Sequence, residues 1–300
     1  MTTLLKNWLN KGSYFQYNHN KIFYIDEGEG DCLLIFHGYP YNSYDFKYLL
    51  PELTKRFRII IPDLLGMGFS DKPPKYNYSF EDHVAMYRSL MQRLNISEVH
   101  ILAHDLGNSV VQELLSQYEA GDHSLSIRSI AFLNGGLFTE VYRPRLIQVM
   151  LSQSPPFIGK LLSRLISKRS IVKATCSVFG KHTQPSPELL DEFWEILNYN
   201  NGKALAWKIG RLIFARDHHQ PRWIKAMQET SIPMCFINGP ADPNSGMHMA
   251  KRYGELIPRA DVKLLSEEIG HWPQIEAAGE VGERYFEFLL RVRLDVRREA

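Results

Sequence analysis

The amino-acid sequence predicts an α/β fold, in which a mostly parallel sheet carries helices on both faces and is interrupted by an inserted block of helices. Three observations carry this expectation. Short apolar runs at 33–37, 58–62, 99–104 and 129–133 alternate with longer stretches of helical spacing. The alternation stops after Gly136, and helical segments then follow one another without strands to about Pro221. Strand-like runs return at 234–238 and 262–266, ahead of an amphipathic stretch at 280–296.

The elements follow in order. Each apolar run is of strand length, and the stretches between the first three read as helices over 44–57 and 80–94. The second helix opens with Ser79 and has Asp82 three residues on, a capping-box pattern. Its apolar positions Val84, Tyr87, Leu90, Met91 and Leu94 recur at helical intervals. Strand–helix–strand alternation implies parallel pairing. In the insert, helices are expected over 143–151, 156–166, 187–197 and 204–214, separated by Pro and Gly. The organisation is therefore a core formed by 1–136 and 222–300 and a helical cap formed by 137–221. No internal repeat and no low-complexity linker is visible.

Composition narrows the class. The 300 residues are 44% hydrophobic and 23% charged, which excludes a disordered chain and a collagen-like fibre. Lys plus Arg number 35 and Asp plus Glu 33, so the net charge of +2 gives no broad surface for nucleic acid. The cysteines, Cys32, Cys176 and Cys235, form no CxxC, which excludes a zinc ribbon or redox pair and suits a reducing compartment. The first fifteen residues have no signal-peptide core, and no apolar run is long enough to span a bilayer. A soluble, cytoplasmic protein is the expectation, with the oligomeric state open. The insert carries twelve Lys or Arg against six Asp or Glu, concentrated in the basic, amphipathic segment 159–173. That segment reads as a lid helix packing its Leu/Ile face on the core. The alternative is an interfacial helix making peripheral contact with anionic lipid.

Four motifs carry chemistry. In ILAHDLGNS (101–109) a strand runs into a small-x-nucleophile-x-small turn and then a helix, with Ala103, Asp105 and Gly107 at the key places. Alone, Asp105 also reads as an N-cap of the following helix. HGYP (37–40) directly follows a strand, where this architecture supplies one backbone N–H of an oxyanion hole and the residue after the nucleophile the other. Those N–H groups belong to Tyr39 and Leu106, with His37, Gly38 and Pro40 as the supporting loop. EIGHWPQIE (268–276) places His271 after the last strand, where the order nucleophile, acid, histidine requires it. NGPADPNSG (238–246) places Asp242 after a strand, able to orient His271; the competing acid position after 133 holds Asn134. His104 alternates away from the site and reads as structural, and His218–His219 is a loop pair without metal-ligand spacing. Neither a P-loop nor a GxGxxG is present, so neither metal nor cofactor is expected.

These motifs resemble the α/β-hydrolases of the branch that holds epoxide hydrolases and haloalkane dehalogenases, over nearly everything from Ile22 to Leu290. PDLLGMGFSDKP (62–73) is characteristic of that branch. LNGGLF (133–138), the Arg143–Pro144 pair, GPADP (239–243) and HWPQIE (271–276) are most similar to the mesoderm-specific transcript proteins. The resemblance implies an eight-stranded, mostly parallel sheet with a helical cap over the site. It also implies Asp105 as nucleophile, His271 as base and Asp242 as its acid partner.

An aspartate nucleophile changes the reaction. A carboxylate of ordinary pKa near 4 is ionised at neutral pH and attacks saturated carbon without a base, giving an alkyl-enzyme ester. A histidine then activates water to hydrolyse it. The expected substrate is a small apolar molecule, with water as the second reactant. A halide leaving group needs N–H donors; the positions at which dehalogenases place them hold Leu106 and Tyr39, leaving Trp194 and Trp207 of the insert as candidates. An epoxide needs a proton, for which Tyr142 and Tyr199 of the insert are candidates. Epoxide hydrolysis is the leading expectation. Haloalkane dehalogenation, another Asp-nucleophile activity such as β-lactone opening or cofactor-free oxygenation, and a non-catalytic ligand-binding role are the alternatives.

Overall fold

A computed structural model describes residues 1–299, with side chains through Val292. Eight strands form one sheet: β1 (Ser13–Tyr17), β2 (Asn20–Glu27), β3 (Asp31–Phe36), β4 (Phe57–Pro62), β5 (Glu98–Ala103), β6 (Ser126–Phe132), β7 (Met234–Asn238) and β8 (Asp261–Leu264). Their order is β1-β2-β4-β3-β5-β6-β7-β8. The β1–β2 and β2–β4 pairs are antiparallel and every later pair is parallel. The expected α/β class holds.

The antiparallel edge was not foreseen. β1 and β2 meet through Asn18 and His19, both at positive φ (45° and 65°), the geometry of a tight hairpin turn. The usual Asn-Gly signal is replaced by Asn-His, and β2 is buried at four consecutive positions, so no alternation marks it. Ahead of it, α1 (Thr3–Lys11) is capped by Thr2, whose hydroxyl accepts the Leu5 N–H.

The single helix expected over 44–57 does not form. A 3-10 turn at Ser43–Phe46 and the short α2 (Leu50–Leu53) replace it. Buried Asp63 accepts Asn42 Nδ2 (3.0 Å) and the Ser43 N–H (2.9 Å), pinning the chain before a long helix can start, and Pro51 lacks the N–H that would carry one through. By contrast, α3 (Phe80–Arg93) forms where expected, and Ser79 Oγ accepts the Asp82 N–H at 3.2 Å. Helix α4 (Leu106–Glu119) begins directly after Asp105.

Between β6 and β7 lie α5 (Leu146–Gln153), α6 (Pro156–Leu165), α7 (Lys168–Cys176), α8 (Pro187–Asn198) and α9 (Ala206–Glu229). Two expectations are corrected here. Segment 159–173 is two helices, because Ser167 stops α6 and caps α7, its hydroxyl accepting the Ser170 N–H. The insert also does not end at Pro221: α9 runs through it, and His218–His219 sit on this helix rather than in a loop. Helices α10 (Met247–Leu256), α11 (Pro273–Glu276) and α12 (Ala278–Glu299) complete the chain, the last extending the amphipathic stretch at 280–296.

Two apolar layers cover the sheet. Val84, Leu90, Val110 and Leu114 of α3 and α4 pack on one face; Leu5, Val281, Tyr285 and Phe288 of α1 and α12 pack on the other. Strand register decides the rest. Phe36 pairs with Ala103, Ala103 with Phe132, and Phe132 with Phe236, so the C-terminal ends of β3, β5, β6 and β7 lie in one row. The loops that leave them form a single rim, where open parallel sheets place their ligands.

Gly107 is required where α4 crosses β3, since a Cβ there would lie 2.4 Å from the Phe36 carbonyl oxygen. Gly107→Ala is expected to lower stability by about 1–3 kcal/mol in urea denaturation. An unchanged midpoint would show that helix and strand are not in this contact.

Candidate active site

β5 ends at Ala103, and the chain turns sharply into α4 at Asp105, whose φ of 48° and ψ of −111° lie outside the ordinary regions for a non-glycine residue. Backbone bonds hold the bend: the Asp105 N–H donates to Asn134 O (2.9 Å), Leu133 N–H to Ala103 O (2.7 Å) and Gly107 N–H to His104 O (2.9 Å). The Asp105 carboxylate makes no capping bond to α4. Instead Oδ2 accepts the Tyr39 N–H at 3.2 Å, and Oδ1 faces His271 Nε2 at 3.8 Å. The N-cap reading of Asp105 therefore fails on geometry.

The HGYP loop reaches Asp105 because Gly38 has no Cβ; one would lie 2.6 Å from the Asp105 Cβ. His37 ties this loop down, with Nε2 accepting the Leu64 N–H (2.8 Å) and Nδ1 donating to Gly38 O (2.8 Å). The Tyr39–Pro40 peptide is cis, and both residues line the cavity beside Asp105. Leu106 is the first residue of α4, so its N–H is one of those no helix satisfies internally.

His271 Nδ1 donates to Asp242 Oδ2 at 2.8 Å. Asp242 is buried and saturated: Oδ2 also accepts Ser245 Oγ–H (2.6 Å) and Asn134 Nδ2–H (3.1 Å), and Oδ1 accepts the Asn244 N–H (2.8 Å). Asn134, at the competing acid position, thus braces the acid that stands after β7. It also clamps Gly239, donating to its carbonyl (2.9 Å) and accepting its N–H (2.7 Å).

Electrostatics follow from this packing. Burial raises the Asp242 pKa, but the His271 charge and hydrogen bond, with those from Ser245 and Asn244, outweigh it and hold the carboxyl below its ordinary value. Burial by itself lowers the His271 pKa; the charge and hydrogen bond of Asp242, then the charge of Asp105, outweigh it and hold the imidazole up at about 9. His104, directly before the nucleophile position, is buried and points away, its Nε2 donating to the His271 carbonyl at 2.8 Å. Burial, then the neighbouring His271, push His104 down to about 3, so it supports the loop as a neutral ring.

The cavity at Asp105 and His271 is mostly apolar, with Leu151, Ile166, Ile171, Val178 and Ala206 of the insert on its walls. The four aromatic candidates of the insert are not brought to it. Tyr199 packs edge-on against Phe69 and lines a separate groove with Tyr14. Tyr142 is buried against the Arg216 guanidinium (4.4 Å) and accepts Gln148 Nε2–H at 3.5 Å. Burial, set against Arg216 but joined by the charges of Asp105 and Asp242, pushes the Tyr142 phenol up to about 12. Trp194 lies under Lys203 and Trp207 beside Arg211. Helical spacing alone does not say which way such rings face. Two phenols not singled out for their side chains do line the cavity: Tyr39, whose hydroxyl donates to Ala206 O (3.1 Å), and Tyr41, which shares a hydrogen bond with Thr175 (2.7 Å). Their signal was the paired tyrosines of HGYPY. Trp272 also lines it, but its indole N–H is given to Asp45 at 3.2 Å.

Glu276 was quoted with its motif and given no role. It accepts the N–H groups of Gly180 (2.8 Å), Gly270 (2.9 Å) and Trp272 (3.0 Å) and the Thr183 hydroxyl (2.5 Å), and so joins the His271 loop to the insert. Away from this site, Glu81, Glu113 and His219 converge with ligand-like spacing. Arg222 fills the space between them, donating to both carboxylates, and Trp223 Nε1–H donates to Glu113 (2.8 Å).

Residues 31–278 match the family described as alpha/beta hydrolase fold. The mouse mesoderm-specific transcript protein is 34% identical over 92% of this chain and 85% of its own. A cis-3-alkyl-4-alkyloxetan-2-one decarboxylase of Shewanella oneidensis is 30% identical over 90% of this chain and 86% of its own. Among solved structures, the epoxide hydrolase CorEH superposes with a TM-score of 0.75 at 19% identity, covering 94% of this chain and 99% of its own. The haloalkane dehalogenase DbeA of Bradyrhizobium elkani gives 0.78 at 16% identity over 95% and 99%. These two likenesses show a shared fold.

Because Asp105 is one of the charges that raise His271, Asp105→Asn is expected to bring the imidazole pKa below about 9, read by histidine NMR titration. The folded value lies above the ordinary 6.5, so the stability His271 contributes is complete below pH 6.5 and is lost as pH rises through about 9. A wild-type His271 that titrates below 6.5 would contradict the arrangement.

Proposed function

The chain belongs to the α/β-hydrolase fold family, and within it we propose an Asp-nucleophile hydrolase that opens a strained cyclic oxygen substrate, of the epoxide class, with an apolar body. The observation that carries this is the two-sided placement of Asp105, with a backbone N–H on one carboxylate oxygen and His271 Nε2 facing the other. On this reading the helical insert is a cap that closes the cavity from water.

The steps follow from the placement. Asp105 Oδ1 attacks a ring carbon, the C–O bond breaks, and an ester forms on Asp105. The opened oxygen takes a proton. The sequence offered Tyr142 and Tyr199 for this, but the phenol on the cavity wall next to Asp105 is Tyr39, and we assign the proton to it. Burial first, and the Asp105 charge second, keep that phenol protonated. Esterification removes the Asp105 charge, which lowers the His271 pKa and lets its Nε2 accept a proton from water. The water attacks the ester carbon, and the oxyanion develops on Oδ2, facing the N–H groups of Tyr39 and Leu106. Asp242 holds the imidazole with Nδ1 protonated, so Nε2 is the atom that acts.

A second reading, β-lactone opening, is favoured by two observations. The oxetanone decarboxylase relative covers nearly the whole chain. A lactone opened at its alkyl carbon leaves as a carboxylate, which needs no proton, and neither insert tyrosine candidate reaches the cavity. Haloalkane dehalogenation has less support, because Trp194 and Trp207 stay off the cavity wall and the Trp272 N–H is engaged.

His271→Gln is expected to slow turnover by about 10²–10⁴-fold and to accumulate the ester. Intact mass spectrometry after exposure to an epoxide, a β-lactone and a bromoalkane separates the readings. A gain of the full epoxide mass, absent in Asp105→Asn, supports the main one. A lactone-derived adduct alone supports the second. A gain lacking HBr shows that a halide site exists. No adduct from any of the three, with Asp105→Asn indistinguishable, overturns the Asp-nucleophile proposal.

A further inference from the structure

We propose that the outer face of α5 and α6 docks on an anionic lipid bilayer and holds the mouth of the Asp105 cavity against the lipid. The docking stands on the surface alone; delivery of an apolar substrate from the bilayer rests on the function proposed above.

Helix α6 is seated with its polarity reversed. Its buried residues are Gly159 and Ser163, the two smallest side chains available to it. Ser163 Oγ accepts the Trp207 N–H (3.0 Å), and a Cβ on Gly159 would come within 3.2 Å of the Trp207 Cβ. The large apolar side chains face out: Phe157 is 74% exposed, Leu161 57% and Leu165 68%. α5 continues the patch with Leu146 (74%), Ile147 and Met150. The expectation that 159–173 packs its Leu/Ile face on the core is thus corrected for Leu161 and Leu165. A helix that faces water ordinarily hides such residues, and a contiguous exposed patch of this kind marks an interaction surface.

Charge decides what it meets. From 141 to 187 the chain contains no Asp or Glu, while Lys or Arg stands at 143, 145, 160, 164, 168, 169, 173 and 181. Lys160 and Arg164 interleave with Phe157, Leu161 and Leu165 on α6. Apolar side chains among cations are what a surface needs to enter the boundary between headgroups and acyl chains while meeting lipid phosphates. A second copy fits poorly, since a twofold contact would set this acid-free basic face against itself. Position makes the surface functional. Arg145, Ile147, Gln148 and Leu151, from α5 and the residue before it, line the cavity that contains Asp105. No helix among the described residues is long and apolar enough to cross a membrane, so contact is from one side.

Flotation of the full chain with vesicles of phosphatidylcholine, with and without phosphatidylserine, tests this. The protein is expected to float with phosphatidylserine-containing vesicles at low salt and to be released by high salt. Phe157→Ser/Leu161→Ser/Leu165→Ser is expected to lower the bound fraction at least about tenfold. Its fold is checked by an unchanged thermal midpoint, because all three side chains are already exposed. Failure of the wild type to float, equal flotation on phosphatidylcholine alone, or undiminished flotation of the triple variant overturns the proposal. So does a dimer, seen by light scattering, that the triple variant dissolves, which assigns the patch to a second copy. Asp105→Asn is expected to float like the wild type. Flotation that persists when the ester trap fails on every substrate rejects the chemistry and leaves the docking.

Discussion

A backbone bend at the tip of the middle strand governs this structure. Asp105 occupies a region of φ and ψ that costs a non-glycine residue about 1–3 kcal/mol, and its neighbours are arranged to bear that cost. The bend lifts the carboxylate clear of its own helix, where it would otherwise act as an N-cap. It also brings three other chain segments close: the loop after β3, the turn after β6 and the loop after β8. The glycines at 38, 107 and 135 answer to this crowding, since a Cβ at each would meet Asp105 or the Phe36 backbone within 3 Å.

Two carboxylates flank one imidazole, and they are placed for different work. Asp242 is encased, with both oxygens committed to Asn134, Asn244, Ser245 and His271. Asp105 touches a single backbone N–H and the edge of the ring and faces an apolar cavity. On the proposed chemistry this asymmetry makes the base self-timing. While Asp105 carries its charge the imidazole is held protonated, and the loss of that charge on esterification frees it to take a proton from water. The apolar walls strengthen the effect, because few solvent dipoles remain to screen it.

Much of this was legible before any coordinates. The parallel core, the α3 capping box and the ordered motifs around Asp105, Asp242 and His271 were written in local spacing, which strand register then brought to one rim. What escaped notice has physical causes. The β1–β2 hairpin turns on Asn-His instead of Asn-Gly, and β2 is buried on both faces, so neither turn chemistry nor alternation marked it. The 44–57 segment has helical spacing, but side-chain bonds from distant Asp63 override it. In the insert, periodicity shows that helices exist and not which stripe faces in, so Tyr142, Tyr199, Trp194 and Trp207 were credited with an aim they lack. Tyr39 was read for its amide alone, though its ring lines the cavity as well. Glu276 left no trace beyond its motif, because its four partners are spread across two distant segments.

The bonds around Glu276 have a consequence for transplanting parts between relatives. The His271 N–H donates to Val178 O at 2.9 Å, and Glu276 binds Gly180 and Thr183, so the proposed base is suspended in part from the insert. A Cβ on Gly180 would lie 1.7 Å from the Glu268 carbonyl oxygen, which leaves no room for another residue at this joint. The insert is therefore not a detachable module. An exchanged segment that breaks before 178 and resumes after 183 carries away part of the base's own scaffold, whereas one confined to α5, α6 and the start of α7 alters the cavity wall and leaves that suspension in place.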